Sequence, residues 1–520
     1  MNLSINMFKC DVVMLLLAII TCVYFYLKRI YSYWDRMGFK TLPGTVYLFG
    51  HIKSNFMGNE MMAIIVKRLY NKTSEPFIGF YALMRPILLI RDPELIRNIL
   101  VKDFSYFPDR GVYVNEKYDP LSGHLVAMAG EKWKGLRAKL TPTFTSGKLK
   151  GMFPTLVACG SNLQNYLEKV AESSELLDVQ EIAASHATNV IASVSFGIDV
   201  DAITDPNTDF RKYGRKMFAP SIKNSLRLIL LTCAPRLMKF LHIKCVSSDV
   251  ENFVLSIVKQ NLEYREMNNV TRNDFFQLLI QLRNTGSVES DGHDSTIKSN
   301  GNQKTFTVNE MAAQSYIFFA AGFETSSSTL AFCLYELARN PEIQNRVYDE
   351  IIRVLEDHGG EMTYDAISDM EFLDQCIDES LRLYPIGAFL RRNCAKNYKI
   401  PGTDKTLEKG AEIFIPVFAL QRDEKYYKNP IEFDPDRFNK ENSATKNQTK
   451  RPYYSFGDGP RNCIGVRLGK LQVKVGLVMM LQRFRYELLH EQESTREMEF
   501  EPRSFLLSPR GGIKLCVFKR

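Results

Sequence analysis

The residues best able to do chemistry in this chain meet in one stretch, Phe456-Gly457-Asp458-Gly459-Pro460-Arg461-Asn462-Cys463-Ile464-Gly465. Three glycines and a proline in ten residues exclude regular helix or strand, so the stretch is a shaped loop. From Val466 to Met480, apolar residues recur at Val466, Leu468, Leu471, Val473, Val475, Leu477 and Val478, which reads as a largely buried helix opening just after Cys463. Backbone N–H groups and the positive dipole end at a helix start favour a thiolate. Arg461, two residues earlier, is a cation suited to a carboxylate. A thiolate so held is one way to ligate iron, and such an arginine can hold a haem propionate. Taken singly, the cysteine reads equally well as a buried structural thiol beside a glycine turn.

A second stretch with chemical potential is Phe318-Phe319-Ala320-Ala321-Gly322-Phe323-Glu324-Thr325-Ser326. It lies inside a helix that opens with the capping-box pattern Thr307-Val308-Asn309-Glu310 and ends at Asn340-Pro341. A glycine at mid-helix costs stability unless something approaches closely, either a flat cofactor or a second helix. Thr325 can bond back to the Ala321 carbonyl and loosen the ladder locally, leaving a groove for a small ligand. Trp133 and Arg137 stand four apart on one helix face, and Glu379 and Arg382 form an i,i+3 ion pair among apolar neighbours.

The totals bound what these groups can serve. A chain of 520 residues buries a sizeable core without difficulty. Its net charge of +8, from 67 basic and 59 acidic residues, is too mild and too evenly spread for a nucleic-acid binder. The ten cysteines form no C-x-x-C pair, and in a chain this long read as reduced thiols facing the cytosol. The seven histidines show no H-E-x-x-H spacing, which disfavours a zinc enzyme.

The elements that must position these groups can be taken in order. Val12 to Leu27 is an apolar run of ~24 Å as a helix, slightly short of a ~30 Å hydrocarbon core. It lacks a small-x-small cleavage site and passes into Lys28 and Arg29, so it reads as a retained anchor with Tyr31, Tyr33 and Trp34 at headgroup level. Basic residues are denser after the run than before it, placing the bulk of the chain in the cytoplasm and leaving the sequons at Asn71, Asn269 and Asn447 unglycosylated. Leu42-Pro43-Gly44 is a stiff break. Phe77–Tyr81, Ile87–Ile90, Tyr398–Ile400 and Ala411–Val417 read as strands, and Asp92-Pro93 as a helix start. Leu226 to Leu241 is apolar with interspersed cations, as a membrane-leaning or a core helix would be. Residues 283–304, rich in Ser, Asn, Gly and Asp, read as a long exposed loop. Lys132, Lys134, Lys139, Lys148 and Lys150, with Arg467, Lys470 and Lys474, suggest a basic face for an acidic electron donor.

The cysteine loop resembles the haem-thiolate loop of the cytochrome P450 superfamily at every defining position, and the likeness covers essentially the whole chain with no motif out of order. It implies a mainly α fold with small β-sheets (α+β) and an N-terminal transmembrane helix: residues 1–30 as anchor, 31–50 as basic linker and Pro/Gly hinge, and 51–520 as haem-thiolate catalytic domain. By the same likeness Cys463 is the metal ligand of haem b. Trp133, Arg137, Arg392 and Arg461, with His124 beside them, serve its propionates, and Phe456 and Ala321 also bind the cofactor. Ala321-Gly322-Phe323-Glu324-Thr325 fits the oxygen-activation motif A-G-x-D/E-T, which gives Glu324 and Thr325 the proton relay. Glu379 and Arg382, joined by Arg437, are the structural support of the cysteine loop. Phe104, Phe107, Phe318, Phe319, Phe323 and Phe389 suggest an aromatic substrate pocket, and Phe505 belongs to a tail loop that the resemblance brings to it.

The implied activity is a monooxygenase that oxidises apolar small molecules with dioxygen. Electrons come from NADPH through a separate NADPH–cytochrome P450 reductase, since no G-x-G-x-x-G stands in a strand–helix setting, with cytochrome b5 as a second candidate donor. The setting is the endoplasmic reticulum membrane, catalytic domain on the cytoplasmic side. The phrases around Phe318–Thr329 and Tyr453–Leu471 are most similar to insect microsomal members associated with oxidation of xenobiotics such as plant toxins and insecticides; endogenous lipids are the other substrate class. A haem-thiolate isomerase or dehydratase acting on a peroxide, and a non-catalytic haem-binding protein, are the competing readings, and intact Glu324 and Thr325 argue against the isomerase. Two departures from the family stand out: a reduced Pro hinge at Leu42-Pro43-Gly44, and Gln421-Arg422-Asp423 where His-x-Asp is frequent, with no evident consequence for catalysis.

Overall fold

The structure is a computed structural model that describes residues 2–173, 175–286, 288, 306–439, 451–489 and 497–520. The Asn447 sequon and most of the predicted 283–304 loop lie outside the described residues. The helices that matter for the site are α1 (Asn2–Tyr31), α2 (Gly130–Leu140), α3 (Ser146–Ser173), α4 (Val179–Ile191), α5 (Asp209–Phe218), α6 (Ile222–Cys233), α7 (Pro235–Phe240), α8 (Ser248–Asn268), α9 (Val308–Arg339), α10 (Glu371–Leu383) and α11 (Val466–Leu481).

Helix α9 is the axis of the molecule, packed against α4, α8, α10 and α11. Its start is fixed by the predicted capping box: Glu310 N–H donates to Thr307 Oγ1 at 3.2 Å, and Thr307 N–H donates to Glu310 Oε2 at 2.8 Å. Two of the four orphan N–H groups of the helix end are thereby satisfied. Among the described residues two helices are long and apolar enough to cross a membrane, and α9 is the one that the protein itself covers.

A four-stranded sheet, β1 (Phe77–Ala82), β2 (Arg85–Ile90), β7 (Glu412–Ile415) and β4 (Leu390–Asn393), builds a second core. Strands β1 and β2 pair antiparallel with Phe77 opposite Ile90, β2 runs parallel to β7, and β4 antiparallel to β7. The continuous run Ile87-Leu88-Leu89-Ile90 is fully buried, as an interior strand covered on both faces requires. Smaller sheets are β3 (Leu177–Asp178), β9 (Lys514–Lys519), β8 (Phe484–Leu488) and the pair β5 (Tyr398–Lys399) with β6 (Thr406–Leu407). The predicted strand Ala411–Val417 is shorter in the structure, because Val417–Leu420 turns into a helical segment after Pro416. Asp92 caps the helix starting at Pro93 as expected, accepting Leu95 N–H at 2.8 Å.

Two expectations about the N-terminus change. The apolar helical stretch is Asp11–Tyr31, 21 residues left uncovered by the chain except at its end, where Leu27 is buried and Tyr31 Oη donates to the Leu83 carbonyl at 3.1 Å. It reaches about 30 Å, the full hydrocarbon thickness, because Asp11 and residues 28–31 flank the apolar run, as its length required. Trp34 is not free to sit at headgroup level: it is 1% exposed and its Nε1–H donates to the Phe80 carbonyl at 3.3 Å. Residues 31–50 are likewise tied to the sheet, through bridges of Thr41 to Gly79 and Gly50 to Ala82.

Candidate active site

The cysteine loop folds back on itself through Cys463 N–H, which donates to the Phe456 carbonyl at 2.8 Å. Gly459 adopts φ +67°, and a Cβ there would overlap the Leu100 carbonyl oxygen, so only glycine lets the loop lie this close to the helical turn after β2. Cys463 ends in an interior cavity of about 410 Å³. Its sulfur lies deep in the protein yet retains accessible surface, because that surface is cavity wall. Burial pushes the thiol up, which the helix-start argument does not anticipate; a bond from Gly465 N–H and the charges of Arg110 and Arg137 act the other way.

The same cavity is walled by Ala321, Gly322, Thr325 and Ser326 of α9. Thr325 Oγ1 donates to the Ala321 carbonyl at 2.5 Å, the back-bond expected from the sequence. Gly322 answers the question its sequence left open: a Cβ there would overlap Ile191 Cδ1, so its smallness serves the α4–α9 packing, while Ala321 presents the small surface to the cavity. Glu324 is not part of the wall. Burial raises its carboxyl to about 7, with Arg211 opposing the shift.

Four guanidinium groups gather at the cavity: Arg110, Arg137, Arg392 and Arg461. Arg461 stacks 3.8 Å over the Trp133 ring, donates from Nε to the Pro108 carbonyl at 2.7 Å and from Nη2 to Met128 at 2.9 Å. Arg137 clamps the loop instead, through the Asn462 carbonyl at 2.9 Å and side chain at 3.0 Å. Arg110 donates to the Arg461 carbonyl at 2.9 Å and the Val126 carbonyl at 3.2 Å. Burial and mutual repulsion lower Arg392 and Arg461 to about 9 and Arg110 to about 10. Among the described residues only Asp109, 3.2 Å from Arg461, forms an ion pair with them, and Arg461 Nη1 and Arg392 Nε are buried without an acceptor there. Such a cluster is costly unless an anion joins it. A flat cofactor with acidic arms and a metal centre fits this wall: arginines for the acids, a sulfur for the metal, a smooth Ala321–Gly322 surface for the ring.

Sequence reasoning missed Arg110, which sits in a loop with no periodicity or motif to mark it. It also brought in residues the fold keeps out. His124 accepts Ala127 N–H at 3.3 Å and lies outside the cavity wall, its imidazole held neutral by burial down to about 3. Of the candidate pocket phenylalanines only Phe318 lines the cavity. Phe107 is buried in the sheet core against Tyr398. Phe104 packs on Trp133, and Phe389 stacks on Phe414. Phe319 and Phe323 stack on each other away from the cavity. Phe505 is 54% exposed, and its neighbour Leu506 takes the wall position. Phe456, Trp133 and Arg392 are where the sequence placed them.

The predicted triad is assembled. Arg382 donates to both Glu379 oxygens at 2.7 Å, and Arg437 Nε to Glu379 Oε1 at 3.2 Å. Arg382 also holds the carbonyls of Gln421 and Pro430 at 2.8 Å, so one buried ion pair pins the segment that leads to the cysteine loop. On the basic face, Lys474 is buried, donating to the Ile367 and Met370 carbonyls, and Lys470 is paired with Asp374 and Asp378. Lys132, Lys134, Lys150 and Arg467 remain exposed.

A family model described as cytochrome P450 matches residues 41–517. Probable cytochrome P450 6d5 of Drosophila melanogaster is 39% identical over 502 residues, covering 96% of this chain and 97% of its own. Cytochrome P450 6a2 of the same fly is 38% identical over 97% of this chain and 98% of its own. Cytochrome P450 6k1 of Blattella germanica is 37% identical over 98% and 97%. The family binds haem b and draws electrons from NADPH by way of a reductase. On a match of this extent, the chain belongs to the cytochrome P450 family and is a haem-thiolate monooxygenase.

Proposed function

We propose that this chain binds haem b through Cys463 and oxidises apolar small molecules of the xenobiotic class, plant toxins and insecticides, drawing electrons through NADPH–cytochrome P450 reductase with cytochrome b5 as a second donor. The observation that carries the reading is the shared cavity, lined at once by Cys463, four arginines, Trp133 and the Ala321–Thr325 groove. Haem b, when bound, supplies the iron that takes up electrons and activates dioxygen.

The chain's own residues do the rest. Arg110, Arg392 and Arg461 meet the acidic arms, Trp133 holds the Arg461 guanidinium flat, and Phe456 packs beside the cysteine. Apolar neighbours such as Ile386, Leu390 and Leu506 exclude water from the substrate end. Glu324, with its carboxyl near neutrality, can both take up and give a proton, and the Thr325 hydroxyl is where that proton enters the cavity.

Helix α1 serves as the anchor, in the endoplasmic reticulum membrane with residues 51–520 on the cytoplasmic side, consistent with the basic residues that follow it. Lys132, Lys134 and Arg467 form the exposed core of the donor-docking face. Their surface ion pairs, such as Lys132 with Glu116 at 2.7 Å, are worth little and exchange readily for an acidic partner.

The test is reconstitution of the holoprotein with NADPH and the flavoprotein reductase against plant toxins, insecticides, fatty acids and steroids. Reductase-dependent oxidation of the first two classes is expected, with the thiolate-type carbon monoxide band lost in Cys463→Ala. Turnover confined to steroids or fatty acids overturns the xenobiotic reading, and turnover of a peroxide without NADPH overturns the monooxygenase one.

A further inference from the structure

Beyond the arginines, the cysteine cavity is walled by Leu125 and Val126, from the loop that precedes α2, and by Ile317 and Phe318 of α9. What fixes the first pair relative to the second is a side chain behind the wall. Gln314 stands one turn before Ile317 and Phe318 on the same face of α9 and is only 1% exposed. Its Oε1 accepts the Leu125 N–H at 3.0 Å, and its Nε2 donates to the Gly123 carbonyl at 3.1 Å. Both arms of one buried carboxamide are thus spent on the backbone of the facing wall.

The need for such a group follows from the backbone. Gly123 and Leu125 are buried, and a buried N–H or carbonyl requires a partner. A carboxamide offers donor and acceptor in one neutral, planar end. The rest of the strip is bonded independently. Ala127 and Met128 N–H both donate to the His124 carbonyl at 3.0 Å. Arg110 donates to the Val126 carbonyl at 3.2 Å and Arg461 to the Met128 carbonyl at 2.9 Å. Further back, the fully buried Asp119 accepts Cys245 N–H at 2.6 Å, joining the loop to the lead-in of α8. Leu125 and Val126 are therefore a preset wall. The arginine bonds in it are charge-assisted, so the neutral pair from Gln314 is where it yields first.

We propose that Gln314 is a positioning residue for substrate selection: its carboxamide sets the gap between residues 123–126 and the Ile317–Phe318 turn of α9, and so limits the width of molecule the cavity admits. Gln314 is not itself part of the cavity wall. Releasing the strip favours wide ligands and leaves slim ones as they were. The inference rests on the cavity as the substrate site beside haem b and is independent of the xenobiotic class.

The experiment uses the full-length holoprotein in detergent micelles and nitrogen ligands of rising width: imidazole, 4-phenylimidazole and a triphenylmethyl imidazole. Their dissociation constants are read from the haem absorption shift. No turnover is involved, so failure of the xenobiotic reading leaves this measurement intact. Hydrogen–deuterium exchange without ligand reads the clamp itself. In Gln314→Leu, exchange over residues 123–127 should quicken, and affinity for the triphenylmethyl ligand should rise about tenfold relative to imidazole, the worth of two lost bonds. Gln314→Met, closer in length, should do the same and carries the test if Gln314→Leu loses its carbon monoxide band. Gln314→Glu at about pH 6.5, its buried carboxyl kept neutral and so both donor and acceptor, should stay within about twofold of wild type. Ser315→Ala, the next residue and equally buried, should leave both readouts unchanged. A uniform fall in all three affinities makes Gln314 merely structural and overturns the proposal, as does faster exchange with an unaltered width ratio. Exchange unchanged in both Gln314→Leu and Gln314→Met overturns the clamp.

Discussion

Gln421 Oε1 accepts the backbone N–H of Tyr454 at 2.7 Å, while its Nε2 donates to the Leu381 and Arg382 carbonyls at 3.2 and 3.0 Å. One fully buried carboxamide thus joins the C-terminal end of α10 to the chain that enters the cysteine loop. The side chain that departs from the frequent His of the family is a structural clamp, and its role could not be read until α10 and residue 454 were seen together.

Replacing that clamp should be expensive. Gln421→Leu keeps the volume but strands one N–H and two carbonyls, a loss of about 3 kcal/mol. Ser455→Ala removes one donor to the Leu381 carbonyl and one acceptor of Gln421 Nε2, which keeps its two carbonyl partners, and should cost about 1 kcal/mol. Urea denaturation of the two holoproteins measures both, and the carbon monoxide spectrum reports the accompanying drift of Cys463 from its ligand geometry. Equal stabilities for the two variants would remove the clamp from the account.

The buried Glu379–Arg382 pair makes a sharper demand. Glu379→Gln leaves the buried Arg382 without its carboxylate, and Arg382→Met leaves Glu379 with only Arg437; each should cost ~3–5 kcal/mol. Removing both charges together should cost no more than either alone, because the stranded charge is what is expensive. A double-mutant cycle by denaturant unfolding settles it; additive losses would contradict the buried-pair argument.

Arg461 predicts a rate. Its planar fork spans the Pro108 and Met128 carbonyls while lying flat on Trp133, and a lysine cannot reproduce either feature. Arg461→Lys should therefore release haem to an apoglobin acceptor at least about tenfold faster, the worth of one charge-assisted bond. Trp133→Phe retains a ring face and should change the rate only about two- to threefold. A faster release in Trp133→Phe than in Arg461→Lys would reverse the assignment.

The legible parts of the molecule were those whose signal is local. The cysteine loop, the α9 capping box, the back-bonded Thr325 and the i,i+3 pair of Glu379 and Arg382 all write their geometry within a few residues. Arg437, 58 positions from Glu379, was found only because the family resemblance carried it. Arg110 and Gln421 were missed because their meaning lies in partners about 350 and 33 positions away. The phenylalanines failed for a rotational reason. Consecutive helical residues point about 100° apart, so Phe318 and Phe319 cannot share a face, and composition alone does not say which one looks inward.

Glu324 links pH to both stability and turnover. Its folded-state value of about 7 lies above the ordinary 4.5, so between those limits the native chain holds a proton that the unfolded chain has lost. Stability from this group is full below the lower limit and falls as pH rises through about 7. Glu324→Gln removes that dependence, and its stability relative to wild type should improve by on the order of 2 kcal/mol between about pH 5 and pH 8. If the acid form of Glu324 delivers the proton, wild-type coupled turnover should decline above about pH 7, and Glu324→Gln should turn over less at every pH and lack that decline. A pH-independent difference in unfolding free energy between the two proteins would rule this out.

The two adjacent phenylalanines give the cleanest test of where the pocket lies. Phe318 lines the cavity together with Phe275 and Phe144, whose ring centres stand 4.0 Å and 5.4 Å from its own. Phe319 is fully buried among Phe196, Phe210 and Phe323, and no part of it meets the cavity. Phe319→Ala should open a void in close-packed core and cost ~3–5 kcal/mol, leaving substrate-induced spectral constants unchanged. Phe318→Ala enlarges space that is already open on one side, so it should cost less and shift the constants toward bulkier substrates. Denaturant unfolding and spectral titration on the same preparations separate the two effects. Altered substrate preference in Phe319→Ala at undiminished stability would place the pocket on the other face of α9.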